Sequence, residues 1–194
     1  MSKIINNRST EYNIDDIFLE RYSPRAMSGE NVSKNELMTL FESARWAPSA
    51  SNIQPWRFIY ANREMPEFEI FLSFLKDANK VWCEKAGALI IMLSKKTSDS
   101  GVLSPKHSFD AGAAWENLAL QAVKMNLVCH AMAGIYFDLI KEKLSIPDDY
   151  EVEIMIAIGK KGKIEDLPEP LQARETPSNR KPLEEIVFEG KFRG

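Results

Sequence analysis

Arg21-Tyr22-Ser23-Pro24-Arg25 and, one helix later, Ala44-Arg45-Trp46-Ala47-Pro48-Ser49-Ala50-Ser51-Asn52-Ile53-Gln54-Pro55-Trp56 are the two stretches from which the rest of the chain can be read. In the first, two arginines flank a serine and a proline. Guanidinium groups offer planar forks of donors that match phosphate and carbonyl-rich rings. The second is a loop of small and polar residues closed by Gln-Pro-Trp. Its lack of bulk lets a flat ligand lie against the backbone. Together they read as two walls of a site for a phosphorylated, ring-bearing molecule.

Between them, Ser33-Lys34-Asn35-Glu36 is a capping box that starts a helix. Leu37, Leu40, Phe41 and Ala44 form its apolar face, and Pro48 stops it. Upstream, Asn13–Glu20 reads as a short helix capped by Asn13, with Ile14, Ile17 and Phe18 facing inward. Downstream, Trp56–Tyr60 alternates like a strand, and Pro66 opens a helix that faces Phe68, Phe71, Leu72 and Leu75 inward. Ala86–Ser94 is a continuous apolar strand buried on both faces. The polar stretch Lys95–Pro105 has the length of a lid.

A long helix begins near Ser108. Its Ala- and Gly-rich face predicts close packing against a second helix, across a dimer axis; the alternative is simply a good helix former. Asp110 reads as a first-turn carboxylate. Val128–Met132 is a short strand and a helix follows from about Phe137. Val152–Gly159 is a strand closed by glycine. From about residue 160 the chain turns polar and proline-bearing, an extended arm whose apolar end, Leu183 to Phe188, has nothing local to pack on.

The order R-x-S-x-R, then a helix ending A-R-x-A-P-S-x-x-N-x-Q-P-W, resembles the N-terminal signature of the FMN-dependent nitroreductase family. The pattern D-x-G-x-A…N-L-x-L-x-A from Asp110 is similar to that family's central helix. The resemblance implies one α+β domain over residues 1–194, with a mixed, mostly antiparallel sheet flanked by helices. It also implies an intertwined homodimer that exchanges its C-terminal arms. It places Arg21 and Arg180 at the phosphate of FMN, with Ser23 as a hydroxyl donor there, Lys181 as a further candidate and Tyr22 among the cofactor-binding residues. Arg25 falls at the oxygen-bearing edge of the ring, where a fixed cation favours the negatively charged reduced form. Pro48, Ser49, Ala50 and Asn52 would reach the ring or ribityl chain from the other subunit. The turn at Met132, Ala133 and Gly134 would lie near the hydride-accepting nitrogen. Ser178 stands where many members carry a second basic residue, and Asn79 and Lys80 are further candidates for ring contacts.

No protein nucleophile announces itself: there is no G-x-S-x-G and no P-loop. His107 reads as solvated and His130 as a core histidine. Chemistry borne by a cofactor fits such a chain. The implied activity is hydride transfer from NADH or NADPH to FMN and on to a nitroaromatic, quinone, enone or flavin acceptor, by a ping-pong mechanism. A dehalogenating or flavin-modifying member, or a flavin-binding sensor or storage protein, is the alternative. The 194 residues, 44% hydrophobic and 27% charged, suit one domain with a sizeable core. A net charge of −3 gives no reason to expect a nucleic-acid or anionic-membrane partner. Cys83 and Cys129 have neither metal-ligand nor disulfide-framework spacing and read as buried small hydrophobes. Met1–Tyr12 has no apolar core of signal-peptide length, and no run is long enough to span a bilayer, so a cytoplasmic location is expected.

Overall fold

The structure is a computed structural model and describes residues 4–193. The chain opens with a small antiparallel hairpin, β1 (Ile4–Ile5) and β2 (Arg8–Ser9), followed by α1 (Ile17–Glu20) and α2 (Lys34–Arg45). Then come β3 (Trp56–Asn62), α3 (Glu67–Ser73), α4 (Asp77–Cys83), β4 (Ala88–Lys95) and α5 (His107–Lys124). β5 (Leu127–Met132), α6 (Phe137–Lys143), β6 (Tyr150–Lys160) and α7 (Glu169–Gln172) complete the order.

Strands β3, β4, β6 and β5 lie side by side in that order and pair antiparallel throughout. Trp56 faces Ser94 at one end of the β3–β4 ladder, and Ala88 faces Ile158 at the start of β4–β6. β4 is central and is buried from Ala88 to Ser94. Its alternate side chains feed two cores. Ala88, Ile90 and Met92 meet Leu37 and Leu40 of α2 and Ala111, Leu118 and Ala122 of α5. Leu89, Ile91 and Leu93 meet Phe68 and Phe71 of α3, Trp82 of α4 and Ile140 of α6. The result is a sheet between two helical layers, an α+β architecture.

The capping box forms as expected: Ser33 Oγ accepts from Glu36 N at 3.2 Å, and Glu36 Oε2 accepts from Ser33 N at 2.8 Å. The hydroxyl and backbone bonds from Ser33 hold the Glu36 carboxyl below the usual range. The close helix–helix packing predicted for α5 is made with α2 of the same chain. Asn117 Nδ2 donates to Ser43 O at 3.2 Å, and Ala111, Ala114 and Ala119 are buried in the same core.

Four local readings differ from the sequence-based expectation. α1 is one turn long and starts after Asp16, because Asp15 Oδ1 accepts from Ile17 N at 3.0 Å and sets the helix start there. Ile17 and Leu19 are its buried residues, while Ile14 and Phe18 are exposed. The helix from Pro66 breaks after Phe74, since Phe74 O and Lys76 N turn away to pair with Tyr136 N and Gly134 O at 2.9 and 3.0 Å. The polar stretch after β4 is a small hairpin: Ser98 N donates to Val102 O at 2.8 Å and Ser104 N to Lys96 O at 2.7 Å. Thr97 Oγ1 pins it to Asp149 Oδ2 at 2.7 Å. The first half of the C-terminal arm docks on its own chain through buried Leu167 and Glu175, whereas Ile186, Val187 and Phe192 beyond it are exposed. No helix among the described residues is long and apolar enough to cross a membrane.

Candidate functional site

The loop after α1 runs antiparallel to the end of β6 and the residues beyond it. Met27 bridges Lys161, Ser28 N donates to Lys160 O at 3.0 Å, and Gly162 N donates to Ala26 O at 2.9 Å. That rail fixes the backbone from Ala26 to Ser28, at the end of the arginine-bearing loop. The side chains of Arg21, Ser23 and Arg25 then project into a cavity of about 300 Å³, which Arg180 also lines. Tyr22 contributes to the same wall. Five of the residues assigned to the cofactor from sequence therefore come together, with Arg180 brought in from the far end of the chain.

Two residues that the sequence reading passed over complete the frame. Glu175, on the arm, is buried. Its Oε1 accepts from Arg25 N at 2.6 Å and from Ala26 N at 2.7 Å, and Oε2 lies 3.8 Å from Arg25 Nη1. One carboxylate thus fixes the backbone at Arg25 and Ala26 and faces the Arg25 guanidinium with an oxygen that takes no hydrogen bond among the described residues. Arg8, from β2, also lines the cavity and is buried. Nothing near Arg8 or Glu175 in sequence marks them, because Glu175 meets Arg25 and Ala26, and Arg8 meets Ser178, only across more than a hundred residues.

Counting Arg174, five arginines line this cavity against one carboxylate, that of Glu175. Arg21 Nε is 3.9 Å from Glu116 Oε1 and Arg21 Nη1 is 3.4 Å from Ser23 Oγ, so its charge is only loosely matched. The excess of positive charge and the serine hydroxyl fit a phosphate dianion. His130, on β5, lines the same cavity and is packed against Trp82, with ring centroids 4.8 Å apart. Its Nδ1 lies 3.2 Å from Pro24 O and donates to it. Burial pushes its pKa below the ordinary histidine value, the backbone bond partly opposes this, and the Arg25 charge adds to the fall. His130 is a neutral brace under the arginine loop.

The other predicted contacts lie elsewhere on the chain. Lys181 lines a neighbouring cavity, also of about 300 Å³, with Arg8 and Arg180, and is exposed in an ion pair with Glu185 at 3.5 Å. Pro48, Ser49, Ala50 and Asn52 form a projecting loop beyond α2, and none of them lines the arginine cavity. The loop is held in a demanding shape: Ser51, Asn52 and Gln54 have φ of 50°, 55° and 51°. Asp110, buried in the first turn of α5, holds it by accepting from Ala50 N at 3.1 Å, and Ser49 Oγ accepts from Gln54 N at 3.0 Å. Its role is thus more specific than a favourable charge at a helix start.

At the end of β5, Met132 is buried and Ala133 is exposed. Gly134 O accepts from Asn79 Nδ2 at 3.1 Å, and a Cβ on Gly134 would stand 2.6 Å from that nitrogen. Asn79 therefore shapes the turn, while Lys80 is exposed on α4. His107 is not solvated: Nδ1 is 2.7 Å from the hydroxyl of buried Ser94 and 3.6 Å from Glu153 Oε1, in a polar cluster at the start of α5. Burial pushes the Cys129 thiol up to about 12 and raises that of Cys83 further, so neither is a thiolate near neutrality.

Comparison with known proteins gives the family. The sequence model of the nitroreductase family matches residues 18–160, and the chain belongs to that family. A crystal structure described as an oxidoreductase containing FMN is 44% identical, with 99% of each chain covered and a TM-score of 0.96. A nitroreductase family protein from Clostridium difficile is 26% identical, with 93% of this chain and 100% of that one covered and a TM-score of 0.71. A Streptococcus pyogenes relative with the provisional name NAD(P)H nitroreductase is 24% identical over 202 residues, 87% of this chain and 94% of its own.

Proposed function

We propose that the protein is an FMN-dependent oxidoreductase that takes hydride from NADH or NADPH and passes it, in a second half-reaction, to a small organic acceptor such as a nitroaromatic, quinone, enone or flavin. The observation that carries this reading is the cavity where Arg21, Ser23, Arg25 and Arg180 converge, in a chain that closely matches an FMN-containing oxidoreductase along its whole length.

FMN, when bound, supplies the hydride acceptor and donor that the side chains do not. The chain's own residues hold and polarise it. Arg21, Ser23 and Arg180 take the phosphate, with the two guanidiniums as charge-assisted donors. Arg25 is held by Glu175 and directs its remaining donors to the oxygen-bearing rim of the ring, where positive charge stabilises the electron-rich state. His130 stays neutral and keeps the arginine loop in place. No side chain is asked to be a nucleophile.

A homodimer completes the site. The Pro48–Asn52 loop projects from its own chain, and its left-handed residues are fixed by Asp110 as if for an external contact. Trp46, Val102, Leu103 and Phe109 are exposed large apolar residues, as are Ile186, Val187 and Phe192 on the arm. Exposed apolar surface of this kind is what a protein interface would cover. The arm's distal end reaches the partner subunit and covers part of that surface.

The test begins with the visible spectrum of the purified protein, reloaded with FMN where needed. Anaerobic NADH or NADPH is expected to bleach the flavin within seconds, and added acceptor to restore it. Flavin that stays oxidised with both donors would leave a binding protein without turnover. Arg25→Ala is expected to weaken FMN retention and slow the bleaching; unchanged values for both would remove the ring role from Arg25. Sedimentation tests the dimer, and a flavin-loaded monomer would refute a shared site.

A further inference from the structure

We infer that Arg8, on the N-terminal hairpin, is a specificity-determining residue that lets the cavity distinguish a phosphorylated flavin from one without phosphate. It does so by adding a cation to the phosphate wall and by fixing the arm that carries Arg180. The inference rests on the FMN reading above. It concerns a residue that lies outside the 18–160 region matched by the family.

Arg8 is 6% exposed. Its Nη1 donates to Leu19 O at 2.9 Å and to Arg21 O at 2.6 Å, and its Nε donates to Ser178 O at 2.9 Å. Three segments are thereby tied at one guanidinium: the hairpin, the loop that bears Arg21 and Ser23, and the arm two residues before Arg180. A second tie reinforces the first, since Leu183 N donates to Glu11 Oε1 at 3.4 Å. The hairpin thus holds the arm on both sides of Arg180.

What Arg8 lacks among the described residues is a counter-charge. A buried guanidinium is costly unless its charge is matched, and carbonyl oxygens match it only in part. None of the ion pairs among the described residues includes Arg8 or Arg180. Burial lowers the pKa of Arg8, and the neighbouring charges of Arg180 and Arg21 lower it further. Nη2 donates to no described residue. Three guanidiniums that repel one another therefore share one wall of the cavity, with a free donor among them. A phosphate dianion relieves that repulsion, whereas an uncharged ribityl chain leaves it standing.

The experiment compares FMN with riboflavin by flavin fluorescence titration of the full-length protein, without turnover. Wild type is expected to prefer FMN strongly. Arg8→Gln is expected to weaken FMN binding by about ten- to a hundredfold, the loss of a charge-assisted donor, while riboflavin affinity moves less than about threefold. Arg8→Lys keeps the charge without the fork and is expected to recover part of the FMN affinity. Equal weakening of FMN and riboflavin would show that Arg8 only supports the fold and would overturn the inference. So would unchanged FMN affinity. A wild type that binds both flavins equally would overturn the inference and leave the flavin reading intact, whereas binding of neither would overturn both. Should Arg8→Gln not fold, Arg8→Lys, which keeps the charge and loses the fork, carries the comparison through the FMN-to-riboflavin ratio.

Discussion

Replacing Glu175 by alanine should destabilise the protein more than any surface change, although the residue sits in an irregular arm. Its carboxylate accepts from two backbone N–H groups, at 2.6 and 2.7 Å, and faces Arg25 at 3.8 Å. The side chain is 2% exposed. Hydrogen bonds to a charged acceptor contribute about 1.5–3 kcal/mol each. Loss of two, with a guanidinium left less well matched, should cost about 3–5 kcal/mol, the range seen when one member of a buried pair is removed. For a chain of this size that corresponds to a fall of about 10 °C in Tm. Glu175→Gln keeps an acceptor of the same shape without the charge and should lose about half as much. Urea unfolding and thermal melts, each run with and without added FMN, check this, because bound ligand adds its own stabilisation. A loss below about 1 kcal/mol for Glu175→Ala would refute the reasoning: it would mean that water satisfies the two amides and that Glu175 does not fix the arginine loop.

Three further outcomes follow from particular contacts. Gly162→Ala places a Cβ 2.5 Å from the backbone C and O of Met27, which cannot give way as a side chain can, so soluble yield or Tm should fall sharply, by at least about 2 kcal/mol in urea unfolding. Because burial holds His130 below its unfolded pKa, the unfolded chain binds the extra proton first as pH falls. Stability should therefore be full above about pH 6.5 and decline as pH falls through that value towards the lower folded pKa, and His130→Gln should flatten this part of the stability–pH curve. Cys83 and Cys129, buried with raised pKa, should react with a thiol reagent at pH 8 only after denaturant is added, which a colorimetric thiol titration will show.

The parts of the fold that could be read from sequence are those whose causes are local. The capping box at Ser33 and Glu36 satisfies its own donors within one turn. The apolar run of β4 announces burial on both faces, and Arg21, Ser23 and Arg25 are spaced to leave one loop together. What escaped notice depends on distant partners. Glu175 looks like any acidic residue in a polar arm until Arg25, 150 positions away, meets it. Arg8 finds Ser178 at a separation of 170, and Asp110 finds Ala50 at 60. The break between α3 and α4 is of the same kind: helical periodicity continues through Leu75, but pairing with the 134–136 segment outweighs it.

These distant contacts also explain why the site has the strength of its frame rather than of any one loop. The arginine loop has little regular structure of its own, yet it is railed along the 160–162 segment, clamped by Glu175, braced by His130 and tied to the hairpin by Arg8. Each tie satisfies a backbone group that would otherwise be left unpaired on burial, so each stabilises the fold while it aims a guanidinium. The cost is concentrated positive charge, with five arginines around one cavity. Such a cluster disfavours the compact state unless an anion joins it. Ligand binding and folding stability should then be coupled, and FMN should raise Tm more at low ionic strength than at high, whereas riboflavin should show no such salt dependence.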